Sequence, residues 1–567
     1  MRNRSGWEHA ITIGAVSWLL AGCYAGAAED TDGQDTDAQD TDARPGPDDP
    51  PEDPFCDGDA LPGQLTRFAR LTHRQYDNSV RDLLGDDTHP SAAFLGDPAV
   101  GGFTNNADQL TVSDRLARDY RRAAEAISAD LVAEPTRLAS LVGCADSDAC
   151  AREFVGSFGR RAFRRPLTET QTEQFMQLYA AGDGLYESGS PFEQGIAIVV
   201  EGFLQSPSFL YRVELSAPQA DQPTVALDDF EIASRLSYML WNSVPDDELL
   251  DAAQAGELSE PQGVEMHARR LLEDPRAIDP VEDFHDQWLK LSHIEDLAKD
   301  PDAFPMFDNE VASSMREETL QFVRSVVYEN DGSFADLLTS TSTFANDDLA
   351  AIYGLEGSFG ETLQPVELDP ARRAGFLTQP GFLAANAYFA ETSPIHRGVF
   401  VQRQLMCTVI PDPPGDADLD LPASEGELVT TRDRVTAHTS PDYCAACHTL
   451  INDPGFAFEG YDAIGRERLE ENGEMVNTAG VLLASGEQIE FTDAVDMAHQ
   501  IADSEVARRC YLRQWFRYAS ARSEGAEDTC TLEGLDTSLA DSDYNVRELL
   551  VALTQTASFR YRNVEGQ

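Results

Sequence analysis

Five residues, Cys444-Ala445-Ala446-Cys447-His448, constrain this chain more than any other stretch. C-x-x-C-H is the attachment pattern of c-type haem. The spacing asks for a helical turn: residues three apart share a face. Both thiols then reach the two vinyl groups of one porphyrin, and the histidine offers a ring nitrogen to the iron. Haem of this kind is attached outside the cytoplasm, so the reading requires an exported chain.

Two other readings compete for the same residues. His438, Cys444, Cys447 and His448 fall close enough together for a Cys/His zinc site. The cysteine pair can also form a redox-active or structural disulfide. Covalent haem c is the first choice, because motif and export agree. Met497 is the leading distal ligand, as a thioether that raises the potential, with Met475, His499 and His438 behind it. Against Met497 stands an amphipathic pattern of Val495, Ala498, Ile501 and Ala502, which makes it an ordinary core residue. Asp453-Pro454-Gly455-Phe456 reads as a turn, and a carbonyl there can accept the His448 ring N–H. Phe456, Phe458 and Tyr461 either cover a porphyrin or belong to a purely structural turn.

The export requirement is met at the other end. Arg2 and Arg4 precede an apolar stretch, Ala10 to Ala21, of signal-peptide length. It closes on Leu20-Ala21-Gly22-Cys23, a bacterial lipobox pattern that makes Cys23 the lipidated residue; cleavage near Ala28 is the plainer alternative. Residues 23–54 then form an acidic, Pro-rich tether that buries nothing. Nine cysteines occur in all. With Cys23 lipidated and two on haem, six remain, an even number suited to an oxidising compartment. Cys144 with Cys150 closes a short loop, and Cys510 with Cys530 brackets a helix and turn. Cys56 with Cys407 is the remainder, and sequence does not fix connectivity.

Beyond the tether the pattern is helical. Thr72-His73-Arg74-Gln75 and Thr168-Glu169-Thr170-Gln171 are capping-box signatures. Long helices are expected over about 113–132, 192–203 and 425–438, and from Asp228-Asp229 through Leu240. Arg160, Arg161, Arg164 and Arg165 form the strongly basic cluster, read as intramolecular salt bridges ahead of an anion or propionate clamp. His285, beside Asp286 and Trp288, is read as packed rather than catalytic. No Walker loop, Rossmann glycine pattern, nucleophile elbow or H-E-x-x-H occurs. Lys+Arg 42 against Asp+Glu 100 gives −58, which argues against nucleic acid and anionic membrane surfaces as partners.

Taken together the segments resemble a family of large exported proteins, abundant in planctomycetes and myxobacteria. It is assembled from domains of unknown function often found with cytochrome c modules. Leu71-Thr72-His73-Arg74-Gln75-Tyr76 is similar to its opening domain. Arg161-Ala162-Phe163-Arg164-Arg165-Pro166, through Ser206-Pro207-Ser208-Phe209, resembles the second, and Ala233 to Trp241 the third. Ser393-Pro394, Arg397-Gly398, the C-x-x-C-H and Asn452 to Glu459 resemble the fourth; Tyr518-Ala519 and Val546 to Arg560 resemble the last. The resemblance implies a mainly helical architecture and no established reaction.

The expected fold is mainly α: a multi-module helical protein with a C-terminal cytochrome-c-like haem-binding region. Its segments are a lipoprotein signal peptide (1–22), the tether (23–54), helical domains over 55–143, 144–215 and 226–355, a C-x-x-C-H domain over 371–470 and a terminal helical domain over 480–563. The expected role is electron transfer in the bacterial cell envelope, lipid-anchored through Cys23, with a redox partner protein and a substrate left open. The rival is a non-redox surface protein binding polysaccharide or another envelope component, in which C-x-x-C-H serves structure.

Overall fold

Side-chain caps set where the helices begin. Thr72 accepts from the Gln75 N–H at 3.1 Å and Gln75 returns the bond at 3.2 Å. The helix His73–Leu84 follows, stopped by Gly85 at φ 64°, a conformation that glycine adopts without strain. The same reciprocal cap opens Glu169–Ala180 from Thr168, Pro191–Leu204 from Ser190 and Asp229–Trp241 from Asp228. The computed structural model describes residues 55, 68–218, 224–414, 421–422 and 429–563. The expected signal peptide, Cys23, most of the tether and Cys56 lie outside the described residues.

With 59% of the described residues in helix and 9% in strand, the fold is mainly α. The strands among the described residues form two-stranded antiparallel ladders. Two of these ladders join distant parts of the chain. Phe68–Arg70 pairs with Tyr211–Val213, and Thr224–Ala226 pairs with the C-terminal Tyr561–Asn563.

Two apolar cores follow from the helical stripes. The N-terminal one gathers Tyr76, Tyr120, Phe154, Phe158, Phe203 and their neighbours. The larger runs from Phe103 to Phe559 and contains Trp241, Phe284, Trp288 and Trp515. The helix Asp229–Trp241 serves both: Tyr238 faces the first core, while Ile232, Leu236 and Leu240 face the second. Phe284 stacks on Trp515 with ring centres 3.8 Å apart. His285 is fully buried beside them. Its Nδ1–H donates to the Val281 carbonyl at 2.8 Å, and Nε2 accepts from the Tyr511 hydroxyl at 3.2 Å. Burial lowers its pKa to about 4, so it packs as a neutral ring.

The basic cluster is consumed internally. Arg160 pairs with Asp251, Arg165 pairs with Asp228, and Arg161 donates to the Asp82 carbonyl. Arg164 is buried and donates to the carbonyls of Ser208, Phe209 and Tyr211.

The cysteine pairing differs from expectation at one place. Cys144 and Cys150 are bonded, but Cys510 joins Cys407 rather than Cys530. The helix Glu505–Ser520 points Cys510 inward, where its sulfur lies 3.4 Å from the Gln404 carbonyl. Cys530, itself disulfide-bonded, sits on an exposed face. Nearness in sequence lost to the direction a helix gives its side chain. Cys407 is thereby unavailable to Cys56.

Candidate functional site

Cys444, Cys447 and His448 occupy the first turns of the helix Asp442–Phe456. Pro441 precedes it, and its carbonyl accepts from the Cys444 and Ala445 N–H groups at 2.8 and 2.9 Å. Both thiols are free and half-buried. Tyr443 beside them is 72% exposed, so this end of the helix meets solvent.

The helix runs on through Pro454, where a turn was expected. Proline cannot donate to the carbonyl four residues back, which strands the Leu450 oxygen. Gln402 supplies the missing donor: its Nε2 lies 2.9 Å from the Leu450 carbonyl and 3.0 Å from that of Leu483. A side chain from another helix thus satisfies the broken ladder, and the helix continues for one more half-turn.

His448 is oriented by a chain of three hydrogen bonds. The Thr439 hydroxyl donates to the Val435 carbonyl at 2.8 Å, so it must accept from Asn452 Nδ2, also at 2.8 Å. That fixes the Asn452 amide and turns its Oδ1 toward His448 Nδ1, 2.9 Å away. An amide oxygen only accepts. His448 Nδ1 therefore carries the proton, and Nε2 keeps a free lone pair. Asn452 does what a carbonyl of the expected turn was to do.

The helix is seated by close backbone approach. A Cβ added to Gly398 would meet the Ile451 oxygen at 1.9 Å, and one added to Gly455 would meet the Pro394 oxygen at 1.9 Å. The helix Pro394–Phe400 lies that close against it. Next to Gly398, the fully buried Arg397 donates to the carbonyls of Leu383, Phe458 and Asp462, each at 3.0 Å. Burial lowers its pKa to about 10. Glu459, buried alongside, accepts from Arg468 at 2.6 Å and from Thr392 at 3.0 Å, and burial raises its carboxyl.

Met497 is fully buried in the larger core, on the helix Ala494–Asp503. That helix packs chiefly on Phe334–Thr339, Glu487–Phe491 and Glu505–Ser520. Phe456, Phe458 and Tyr461 are also core residues, Phe458 packing on Phe382 with ring centres 5.4 Å apart. Met475 and His499 are exposed, and His438 is half-buried near the end of Thr431–Thr439. Among the described residues no group of three or more His, Cys, Asp or Glu side chains is arranged to hold a metal ion.

Five domain-family models match the chain in tandem, each described as a protein of unknown function: DUF1587 over residues 69–133, DUF1595 over 150–214, DUF1592 over 227–355, DUF1588 over 373–471 and DUF1585 over 487–559. This is a multi-domain protein of families of unknown function. No curated protein and no solved structure matches it. The DUF1588 segment holds the C-x-x-C-H helix, its Gly398 partner and the buried Arg397. Both ladder strands Thr224–Ala226 and Tyr561–Asn563 fall at segment edges, so DUF1592 and DUF1585 are stitched together there.

The residues present fit a covalently held haem in their donor chemistry. Two unpaired thiols three residues apart share a half-exposed helix face, and the adjoining imidazole has its tautomer fixed with Nε2 open. What sequence reading missed was Asn452 as the orienting group, Gln402 as the donor that repairs the helix, and the two glycines. A polar residue four positions after the histidine was the available signal for Asn452.

Proposed function

We propose that the protein is an exported c-type haem protein that carries single electrons in the bacterial cell envelope, lipid-anchored through Cys23. Cys444 and Cys447 would form the thioethers, and His448 Nε2 would ligate the iron. A haem held this way supplies one-electron redox chemistry whose potential its surroundings tune. One observation carries the reading. The other described cysteines, Cys144, Cys150, Cys407, Cys510 and Cys530, are disulfide-bonded, while the two in C-x-x-C-H are free. In an oxidising compartment, thiols left unpaired at this spacing suit covalent chemistry with a cofactor. Asn452 and Thr439 add the tautomer that ligation requires.

The helix that bears the thiols also bears an exposed tyrosine, so a redox partner protein would approach at that end. No helix of the described residues is long and apolar enough to cross a membrane. Membrane attachment would rest on Cys23, and mass spectrometry of the N-terminal peptide tests it: diacylglycerol on Cys23 is expected, and an unmodified peptide beginning after Ala28 removes the anchor.

The deciding experiment is expression of the mature chain in a host with haem-attachment machinery. The expected result is a haem-stained band after denaturing electrophoresis and a sharp reduced α-band, both lost in Cys444→Ala. A folded, colourless protein would overturn the electron-transfer reading and favour a surface-binding role.

A further inference from the structure

Four oxidisable rings are strung together in the larger core. Tyr511, Trp515 and Tyr518 stand four and three residues apart on the helix Glu505–Ser520, which puts them on one face. Trp288 ends the helix Ile278–Trp288, which packs against it. Ring centres are 5.2 Å apart from Trp288 to Tyr511, 6.5 Å from Tyr511 to Trp515 and 5.8 Å from Trp515 to Tyr518. All four side chains are buried. Aromatic rings fill cores without any further role, so packing alone does not assign them one.

These two tyrosines are set apart by where their protons point. The Tyr518 hydroxyl donates to an Asp283 carboxylate oxygen at 2.6 Å. The Tyr511 hydroxyl donates to His285 Nε2 at 3.2 Å, because the Val281 carbonyl can only accept and so holds the ring proton on Nδ1. Each phenol thus faces a side chain able to take its proton, within direct-transfer distance. Tyr328 and Tyr461 instead donate to the backbone carbonyls of Ala277 and Arg372, which do not take up a proton. Burial also raises the Asp283 carboxyl, which strengthens it as a base. A phenol gives up an electron readily only when its proton leaves with it, so the two acceptors make Tyr511 and Tyr518 oxidisable in place.

The cluster is also connected to the C-x-x-C-H helix. Trp288 Nε1–H donates to the Gln404 carbonyl at 3.3 Å. Gln404 lies in the turn Val401–Leu405 with Gln402, whose Nε2 holds the carbonyl of Leu450, two residues beyond His448. Two hydrogen bonds and a short run of backbone therefore join the helix of His448 to Trp288.

We propose that Trp288, Tyr511, Trp515 and Tyr518 carry oxidising equivalents away from the C-x-x-C-H helix when the protein meets hydrogen peroxide. The inference rests on the haem reading above. The peroxide breaks its O–O bond by taking two electrons, and two solvent protons complete two waters. Tyr511 and Tyr518 supply one electron each, relayed by Trp515 and Trp288. Each phenolic O–H bond breaks as the electron leaves; the Tyr511 proton bonds to His285 Nε2 and the Tyr518 proton to Asp283. The oxidation ends as two neutral tyrosyl radicals in the buried core, and the porphyrin is spared.

Electron paramagnetic resonance of the full mature chain, loaded with haem and freeze-quenched after mixing with hydrogen peroxide, tests it. A tyrosyl signal is expected. Tyr511→Phe and Tyr518→Phe, which remove only the hydroxyls, should each halve it, and the double variant should lose it. In peroxide the double variant should also bleach its haem several times faster than the parent. A haem-stained chain that shows no tyrosyl radical, a parental signal in the double variant, or bleaching at the parental rate overturns the relay and leaves the haem reading standing. A chain that takes up no haem overturns both. If the double variant does not fold, the single variants decide, and a parental signal in both sinks the proposal.

Discussion

Gly398 and Ile451 approach so closely that a single methyl group has no room: a Cβ on the glycine would lie 1.9 Å from the Ile451 oxygen. The obstacle is backbone on an adjacent helix, which cannot swing aside as a side chain does. Gly398→Ala should therefore force the two helices apart and cost about 3 kcal/mol. Urea unfolding of the variant measures this directly. A loss under about 1 kcal/mol would mean the helices slide past each other freely.

Asn452 acts on the candidate haem site through its hydrogen bond to His448 Nδ1. Asn452→Ala should leave thioether formation through Cys444 and Cys447 intact yet free the imidazole to rotate. The expected readout is a stained band of parental intensity with a shifted reduction potential and altered ligand-field spectrum. Asn452→Asp, which keeps an acceptor beside Nδ1, should restore the spectrum. Parental spectra in both variants would show that the three-bond chain does not govern the histidine.

Glu318 gives the fold a pH dependence of defined sign. Burial raises its carboxyl to about 7, although the Thr343 and Tyr353 hydroxyls donate to it. Between its ordinary value near 4.5 and pH 7, the folded chain keeps a proton that the unfolded chain has released. Stability contributed by the protonated group is thus present below pH 4.5 and is lost as pH rises through 7, by about 3 kcal/mol in total. Urea midpoints at pH 5 and pH 8 should show the decline, and Glu318→Gln should flatten it. A variant that declines as steeply as the parent would assign the dependence elsewhere.

The Cys407–Cys510 bond closes a loop spanning 103 positions in sequence. Cutting so long a loop frees the unfolded chain considerably, and Cys510→Ser should destabilise by about 4 kcal/mol. The Cys144–Cys150 bond spans only 6 positions and its removal should cost less. Denaturant unfolding of the two serine variants ranks them; the reverse order would mean native contacts, not loop length, set their worth.

Much of the helical pattern was legible in the sequence because its signals are local. Thr72 with Gln75 and Thr168 with Gln171 sit three residues apart, and each opens the helix its spacing implies. The helix expected over 425–438 begins only at Thr431, where Thr430 caps it, and runs to Thr439; residues 425–428 lie outside the described residues. Misreadings arose where a distant group decides the local outcome. Pro454 reads as a turn until Gln402, on another helix, takes up the stranded carbonyl. Cys510 reads as a neighbour of Cys530 until packing turns it toward Cys407.

The pairing of Thr224–Ala226 with Tyr561–Asn563 has a consequence for how this chain comes into being. A strand near the middle must wait, with its edge bare, until Tyr561–Asn563, far later in the chain, has been synthesised. No shortened or interrupted product can close that seam. A stop before Tyr561, even one sparing every described helix, would leave an open edge ready to recruit another chain, so these three residues act as the latch on that seam.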